Sequence, residues 1–358
     1  MTALASILLS PLDRLRTALL LRAVRLPALR PLLVKKQRRV PALLLAHAAL
    51  AFGLALVAPT YLLVLGPLLV GVPHLVSDVR QLVLRPALPR FTRTLFLGGS
   101  ALLVCARLLE GMGVRGMART ELGLAGALAM GAVALAVSRA HALRAAAALL
   151  VISLLLGCAL AWPQPARLLL GHGHNVIALL LWAAFYARGR RSAGLVLGVV
   201  LALGALLLFS PLAWLGFQHG VTSAFGLHSL AAVDTLAPGV QSAPLGLGIV
   251  ASFAFLQSVH YAVWLHAIPQ DATHGNGALS FRMTWRALER DLGGWALGAC
   301  LTLALLVPLC GVIAPLLTKA AYLSLSTFHG YLELAAAALF FVRRRGPLSA
   351  GETAPIRA

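Results

Sequence analysis

The sequence predicts an all-α integral membrane protein with about ten transmembrane helices and both termini in the cytoplasm. Of its 358 residues, 60% are hydrophobic and only 11% are charged, and the mean hydropathy is +0.90. The apolar residues are grouped in windows of about 18–25, the length that crosses about 30 Å of hydrocarbon. Only helices and closed barrels satisfy their backbone groups in lipid, so each window is interpreted as a spanning helix.

The first 40 residues form a separate basic segment. They contain nine Lys or Arg side chains, interleaved with leucines in apolar stretches that are too short to span a bilayer. No cleavable signal peptide is evident. This composition predicts either an amphipathic segment on the anionic cytoplasmic leaflet or a disordered tail. Residues 41–343 are then expected to form the transmembrane domain, and residues 344–358 a cytoplasmic tail.

Charges, prolines and glycines bound the ten windows. In chain order the windows are 41–58, 60–79, 94–110, 120–138, 142–162, 166–187, 192–210, 244–267, 293–315 and 319–342. The connection at 211–243 is long and nearly uncharged, and it carries aromatic side chains. These features predict an interfacial helix or a lid on the outer surface.

The distribution of positive charge predicts the orientation. With the N-terminus inside, the ten windows put 25 Lys or Arg residues on the cytoplasmic side and five on the outer side, as the positive-inside rule requires. The net charge of +20 is therefore explained by positive residues in the cytoplasmic loops and termini, and a nucleic-acid partner is not expected. We expect a multi-pass protein of a bacterial-type cytoplasmic membrane.

Ionisable side chains inside the windows identify a candidate site, because such groups are costly in hydrocarbon unless they face the interior and find partners. At 1.5 Å per residue, most of them fall within one slab about 15 Å thick on the cytoplasmic half, where they could converge. The predicted catalytic residues are Asp78 and Glu333. The predicted metal ligands are His47, His74, His174, His260 and His329, with His172 and His266 as additional candidates.

Local spacing indicates how these groups are arranged. His74 and Asp78 are four residues apart and share a helix face, as are His329 and Glu333. A carboxylate one turn from an imidazole can orient the ring or bind a metal itself. His172 and His174 point about 200° apart, so one of them faces the centre, and His174 is preferred. Two of the single histidines have structural alternatives: His47 as a packing residue and His266 as an interfacial one.

A short motif resembles a known family. The stretch Gly-Val-Pro-His-Leu-Val-Ser-Asp at residues 71–78 resembles the Gly-aliphatic-Pro-His-Gly-x-x-Asp motif of the Brp/Blh family of bacterial β-carotene dioxygenases. The resemblance implies one non-haem iron held by four histidines, with His74 and Asp78 as motif positions and His47 as the first-helix histidine. Leu75 replaces the family's glycine, the later helices have no His-x3-His pair, and the chain has more spans than that family.

These observations predict a metal-dependent oxygenase. Imidazoles with carboxylates suit iron, zinc or copper, and Fe(II) is the usual choice for oxygen activation on a lipid-soluble substrate. The metal is expected between the second, sixth, eighth and tenth spans, with O2 and a carotenoid or another lipid entering from the bilayer. Two alternatives stay open. One is a transporter that uses the intramembrane His, Asp and Glu residues for protons or a cation. The other is a membrane protein with histidine-ligated haem.

Overall fold

The computed structural model describes residues 2–86, 88–273, 277 and 279–343, and these residues form an all-α membrane protein. The predicted tail at 344–358 lies outside the described residues. The helices are α1 (Thr2–Arg25), α2 (Arg30–Leu33), α3 (Lys36–Val57), α4 (Pro59–Leu84), α5 (Arg90–Gly111), α6 (Met117–Ala134), α7 (Ala142–Ala161), α8 (Pro163–Tyr186), α9 (Arg191–Phe209), α10 (Leu212–His219), α11 (Ser229–Leu236), α12 (Ala243–Asp271), α13 (Phe281–Leu292), α14 (Gly294–Ile313) and α15 (Pro315–Arg343).

Nine helices in the described part of the chain are long and apolar enough to cross a membrane: α3, α4, α5, α7, α8, α9, α12, α14 and α15. The predicted fourth window corresponds to α6, which is not among the nine because Arg119 and Glu121 in its first turns lower its hydropathy. It nevertheless packs against α5, α7 and α15. Helices α4 and α12 extend beyond the predicted ends at 79 and 267, and both include π-helical turns, Arg80–Leu84 and Val263–Ala267.

Helices α12 and α15 lie at the centre of the bundle. In their most apolar windows, 72% and 61% of the residues are buried, against 6% for α7 and 11% for α14. The sequence explains this difference, because α12 carries Ser252, Gln257 and His260, which lipid would not accommodate, whereas α7 and α14 are apolar on all sides. The central helices therefore carry the polar groups of the interior.

The connection predicted as an interfacial helix or lid forms a folded cap. Helix α10 is followed by a hairpin of β1 (Ser223–Ala224) and β2 (Leu227–His228), and then by α11. The Val221 N–H donates to the Val57 carbonyl over 2.6 Å. A Cβ added to Gly216 would lie 2.2 Å from the Leu56 carbonyl oxygen, so only glycine permits this backbone contact. The cap therefore closes directly over the end of α3.

The basic N-terminal segment is helical and docks on α13. The Asp13 carboxylate accepts hydrogen bonds from the Phe281 N–H (2.7 Å) and from Arg282 Nε (3.0 Å), at the start of α13. An acceptor at this position satisfies N–H groups that have no partner inside the helix. Thr2–Arg25 is therefore helical, and the position of this segment on the cytoplasmic leaflet stays a prediction.

Candidate metal centre

Four histidines from four helices meet in the interior. His74 lies on α4, His174 on α8, His260 on α12 and His329 on α15, and their neighbouring ring centroids are 5.0–5.7 Å apart. We call these four residues the histidine cluster. His74, His260 and His329 are buried, and His174 is partly exposed to a cavity. The helices are the second, sixth, eighth and tenth of the predicted spans.

Hydrogen bonds from outside the cluster orient three of the four rings. The Nδ1 atom of His329 contacts the Ser326 carbonyl, and that of His174 lies 3.3 Å from the Leu170 carbonyl. A carbonyl only accepts, so in both residues Nδ1 carries the proton and Nε2 keeps its lone pair. His74 Nδ1 lies 3.5 Å from the Tyr322 hydroxyl. This pattern is typical of imidazoles that bind a metal through Nε2.

The inward-facing nitrogens lack protein partners. Among the described residues, Nε2 of His74, His260 and His329 has no hydrogen-bond partner. One ring nitrogen from each of these three residues lies within 4.8 Å of the other two. Buried polar atoms are normally satisfied, so unsatisfied nitrogens on three neighbouring imidazoles indicate a missing partner. A cation with several open ligand positions would fit them.

A second layer lies one helical turn from the imidazoles. Asp78, Trp264 and Glu333 each follow a cluster histidine by four residues, and all three are fully buried. Trp264 Nε1 donates to Glu333 Oε1 over 2.8 Å, and the same oxygen lies 3.8 Å from His260 Nε2. Both oxygens of Asp78 and Oε2 of Glu333 lack hydrogen-bond partners in the part of the chain that the structure describes. Unpaired buried carboxylates are costly, so these two need a proton or a cation.

The other candidate histidines lie elsewhere. His47 Nε2 is 3.0 Å from the Ser258 carbonyl and is not in the cluster. His172 Nε2 is 2.8 Å from the Leu236 carbonyl in α11, although the residue lines the same cavity as His174. His266 lines a separate cavity near Arg39. The structure thus brings together four of the five predicted ligands, and it brings neither of the additional candidates to them.

A cavity of about 220 Å³ adjoins the cluster. Its lining includes His74, His174 and His329 together with Arg107 and Arg167. Leu236 of the cap also lines it, so the cap closes part of the cavity. The cavity connects the imidazoles with the side of the bundle that carries the cap.

An ion-pair network borders this cavity. Arg167 Nη1 lies 2.7 Å from Glu110 Oε1, and Arg107 Nε lies 2.9 Å from Glu121 Oε2. The Tyr331 hydroxyl donates to Glu121 Oε1 over 2.7 Å. Sequence reasoning missed this network, because it counted both arginines as outer-loop charges and passed over Glu121 in the fourth window. The three-residue spacing of Arg107 and Glu110 is the one signal that indicated it.

The contact between Tyr322 and Gly71 was also missed. A Cβ added to Gly71 would lie 2.5 Å from Tyr322 Cζ, so glycine is needed there for the tyrosine to approach His74. This gives the glycine of the Gly-Val-Pro-His stretch a physical role. No spacing rule connects residue 71 with residue 322, so this contact could not be predicted.

In comparisons with known proteins, no family model, curated protein or solved structure matches the chain. The likeness to the Brp/Blh family therefore stays a prediction from one eight-residue stretch. The site has to be interpreted from its own geometry.

Proposed function

We propose that the protein is a histidine-ligated metal oxygenase of the membrane, with iron as the metal and a lipophilic substrate. The observation that carries the proposal is the convergence of four imidazoles, of which His174 and His329 are oriented by backbone carbonyls outside the cluster. Structural histidines usually have a partner for each buried nitrogen, whereas these direct unpaired nitrogens toward one another.

The residues fit a metal ion. Imidazole nitrogens about 2.1 Å from one ion lie at most about 4.2 Å apart, and the three nitrogens here lie within 4.8 Å of one another. Small ring movements would therefore bring them to bonding distance. A set of imidazoles with nearby carboxylates suits iron, zinc or copper. The chemistry that iron supplies when bound is activation of O2 at an open coordination position.

The chain's own side chains have definable roles in this site. Tyr322 holds the outer nitrogen of His74, and Trp264 fixes Glu333 beside His260. Asp78 and Glu333 are proposed to orient imidazoles or to hold a proton during the reaction. The buried surroundings exclude bulk water, which protects a reactive oxidant from side reactions.

An apolar groove supports a lipophilic substrate. The groove has a volume of about 890 Å³, is lined almost wholly by apolar side chains of α6, α7, α8 and α15, and opens on the side of the bundle. Leu170 and Tyr331 line both this groove and the cavity beside the cluster. The groove and the cavity therefore adjoin at these two residues. A carotenoid or another long lipid has a suitable shape, and it would enter laterally from the bilayer.

Ten spans with both termini in the cytoplasm form part of the proposal. Helix α6 would be the fourth span and would bring the total to ten, because leaving it out would reverse the side of every later loop and abolish the positive-inside bias. In this orientation the cap and the ion-pair network lie on the outer side. The membrane would be a bacterial-type cytoplasmic membrane.

A transporter is the second candidate, favoured by the unpaired oxygens of Asp78 and Glu333. Buried carboxylates of this kind bind protons or cations in secondary transporters. Haem ligation is less well supported, because the four rings lie against one another and leave little room for a porphyrin between them.

Metal analysis of the detergent-purified full chain tests the proposal. We expect about one iron per chain, with loss of most of it in His74→Ala and in His329→Ala, because each removes one ligand. His172→Ala is the matched control, since that imidazole lies on α8 beside His174 but bonds to Leu236. A wild-type protein without any transition metal would contradict the proposal, and pH-driven uptake in proteoliposomes would then favour transport.

A further inference from the structure

A second cavity, remote from the histidine cluster, combines cationic and apolar surfaces. It has a volume of about 720 Å³ and lies between α1, α4, α12, α13 and α14. No carboxylate lines it among the described residues. Its four arginines are Arg16, Arg39, Arg80 and Arg85, and its apolar lining includes Leu19, Leu20, Leu43, Val76, Leu297 and Leu301.

Each of two carboxylates near this cavity forms ion pairs with more than one arginine. Asp291 Oδ2 lies 2.7 Å from Arg80 Nε and 3.7 Å from Arg85 Nε. Asp13 is shared in the same way between Arg16 and Arg282. The region therefore carries a clear excess of positive charge, which favours a ligand with at least one negative charge.

The shape of the cavity favours an amphiphile over a small ion. Arg39, Arg80 and Arg85 lie at the ends of α3 and α4 that bear the basic loops. Val76, Leu297 and Leu301 continue the lining along α4 and α14 into the apolar part of the bundle. Helix α1, which forms one wall, exposes Ile7, Leu8 and Leu15 at the surface by 68%, 63% and 58%. Exposed apolar side chains beside many cations are typical of a helix that lies in a lipid headgroup layer.

We propose that this cavity binds one anionic phospholipid. The phosphodiester would lie among Arg16, Arg39 and Arg85, and an acyl chain would lie along the apolar lining of α4 and α14. Basic pockets between spanning helices are suited to such headgroups, because guanidinium groups form charge-assisted, paired hydrogen bonds with phosphate oxygens. Inorganic phosphate shares the headgroup chemistry but has no chain for the apolar lining. This inference does not depend on the metal site.

Thermal unfolding of the full chain in detergent tests the proposal, with phosphatidylglycerol, phosphatidylcholine or inorganic phosphate added. We expect a saturable stabilisation by phosphatidylglycerol only. In Arg16→Gln/Arg85→Gln the apparent affinity should fall about 30-fold, since each cation near an anionic lipid contributes about fivefold. The control Arg14→Gln/Arg90→Gln removes the same charge from exposed positions outside the cavity and should keep wild-type affinity.

A second pair of variants tests the proposal independently, in case the double arginine variant does not fold. Ala23→Glu adds a carboxylate to the cavity from the surface helix α1, whereas Ala18→Glu adds it to an exposed position of α1. We expect loss of phosphatidylglycerol binding in the first and retention in the second. Equal loss in the cavity and control variants would overturn the proposal in favour of diffuse surface attraction. Equal stabilisation by inorganic phosphate would overturn it in favour of a simple anion site.

Discussion

Replacing Gly71 by alanine tests how the protein positions His74. The new Cβ would lie 2.5 Å from Tyr322 Cζ and 2.7 Å from its hydroxyl oxygen. Carbon atoms pack at about 3.5–4.0 Å, so the tyrosine would have to retreat by about 1 Å. Its hydroxyl, now 3.5 Å from His74 Nδ1, would then lie too far away for a hydrogen bond. The substitution therefore removes a contact of His74 without changing any cluster residue.

The expected change in the free energy of unfolding of Gly71→Ala combines two effects. Overpacking of this kind destabilises by about 1–3 kcal/mol, while replacing a helical glycine by alanine gains about 0.5–1 kcal/mol. The net loss should be about 1–2 kcal/mol. Loss of an outer partner of a ligating imidazole should also weaken iron binding about 10–100-fold.

Denaturant unfolding and iron titration of the purified protein measure these two quantities. Gly98→Ala is the matched control, because a Cβ there meets nothing within 4 Å and should only stabilise α5. Adding Tyr322→Leu to Gly71→Ala should recover part of the stability, since the clash is removed. The reasoning is refuted if Gly71→Ala is as stable as Gly98→Ala and binds iron like wild type.

Three further predictions concern the groove, the second layer and the N-terminal helix. Gly173→Leu should fill the open groove and lower oxygen uptake with a carotenoid about tenfold or more, while the iron content stays unchanged. Gly198 also lies in open space but outside the groove, so Gly198→Leu should leave both oxygen uptake and iron content unchanged. Trp264→Phe should remove the hydrogen bond to Glu333 and destabilise the protein by about 2–4 kcal/mol in denaturant unfolding, and an unchanged midpoint would show that Glu333 does not need this donor. Desolvation alone would raise the pKa of Asp13, but hydrogen bonds from the Phe281 N–H and from Arg282 outweigh it and lower the pKa. The docking of α1 should therefore be fully present above the usual aspartate range and be lost as the pH falls through the lowered pKa, as followed by proteolysis of α1, and Asp13→Asn should abolish this dependence.

Most of the helices follow from hydropathy alone. Apolar windows bounded by charge and proline predict the positions of α3, α5, α7 and α9 to within a few residues, because lipid imposes one length on every span. The predicted ends of α4 and α12 come too early, since α4 continues through the π-helical turn Arg80–Leu84 and α12 through the turn Ile268–Asp271, and most residues of both turns are buried. Composition does not signal those turns.

The candidate site was predictable as far as depth and helix face determine it. Polar side chains at one depth in the membrane face the interior of the bundle, because exposure to lipid is costly. This explains why four histidines meet: His74, His174, His260 and His329. His47 has the same depth but bonds to Ser258 on a helix face that the sequence does not specify. The positioning role of Tyr322 and the ion pairs of Arg107 depend on contacts between distant helices. Such contacts follow from packing, which one sequence without relatives does not reveal.

X-ray absorption at the iron edge of the purified protein tests the central claim most directly, because it counts the imidazoles around the metal. We predict about four nitrogen ligands near 2.1 Å with the multiple-scattering pattern of imidazole in wild type and in His172→Ala, and one fewer around the iron that His174→Ala still holds. Iron surrounded only by oxygen ligands, or a ligand shell unchanged by the loss of His174, would contradict the assignment of the histidine cluster as the metal centre.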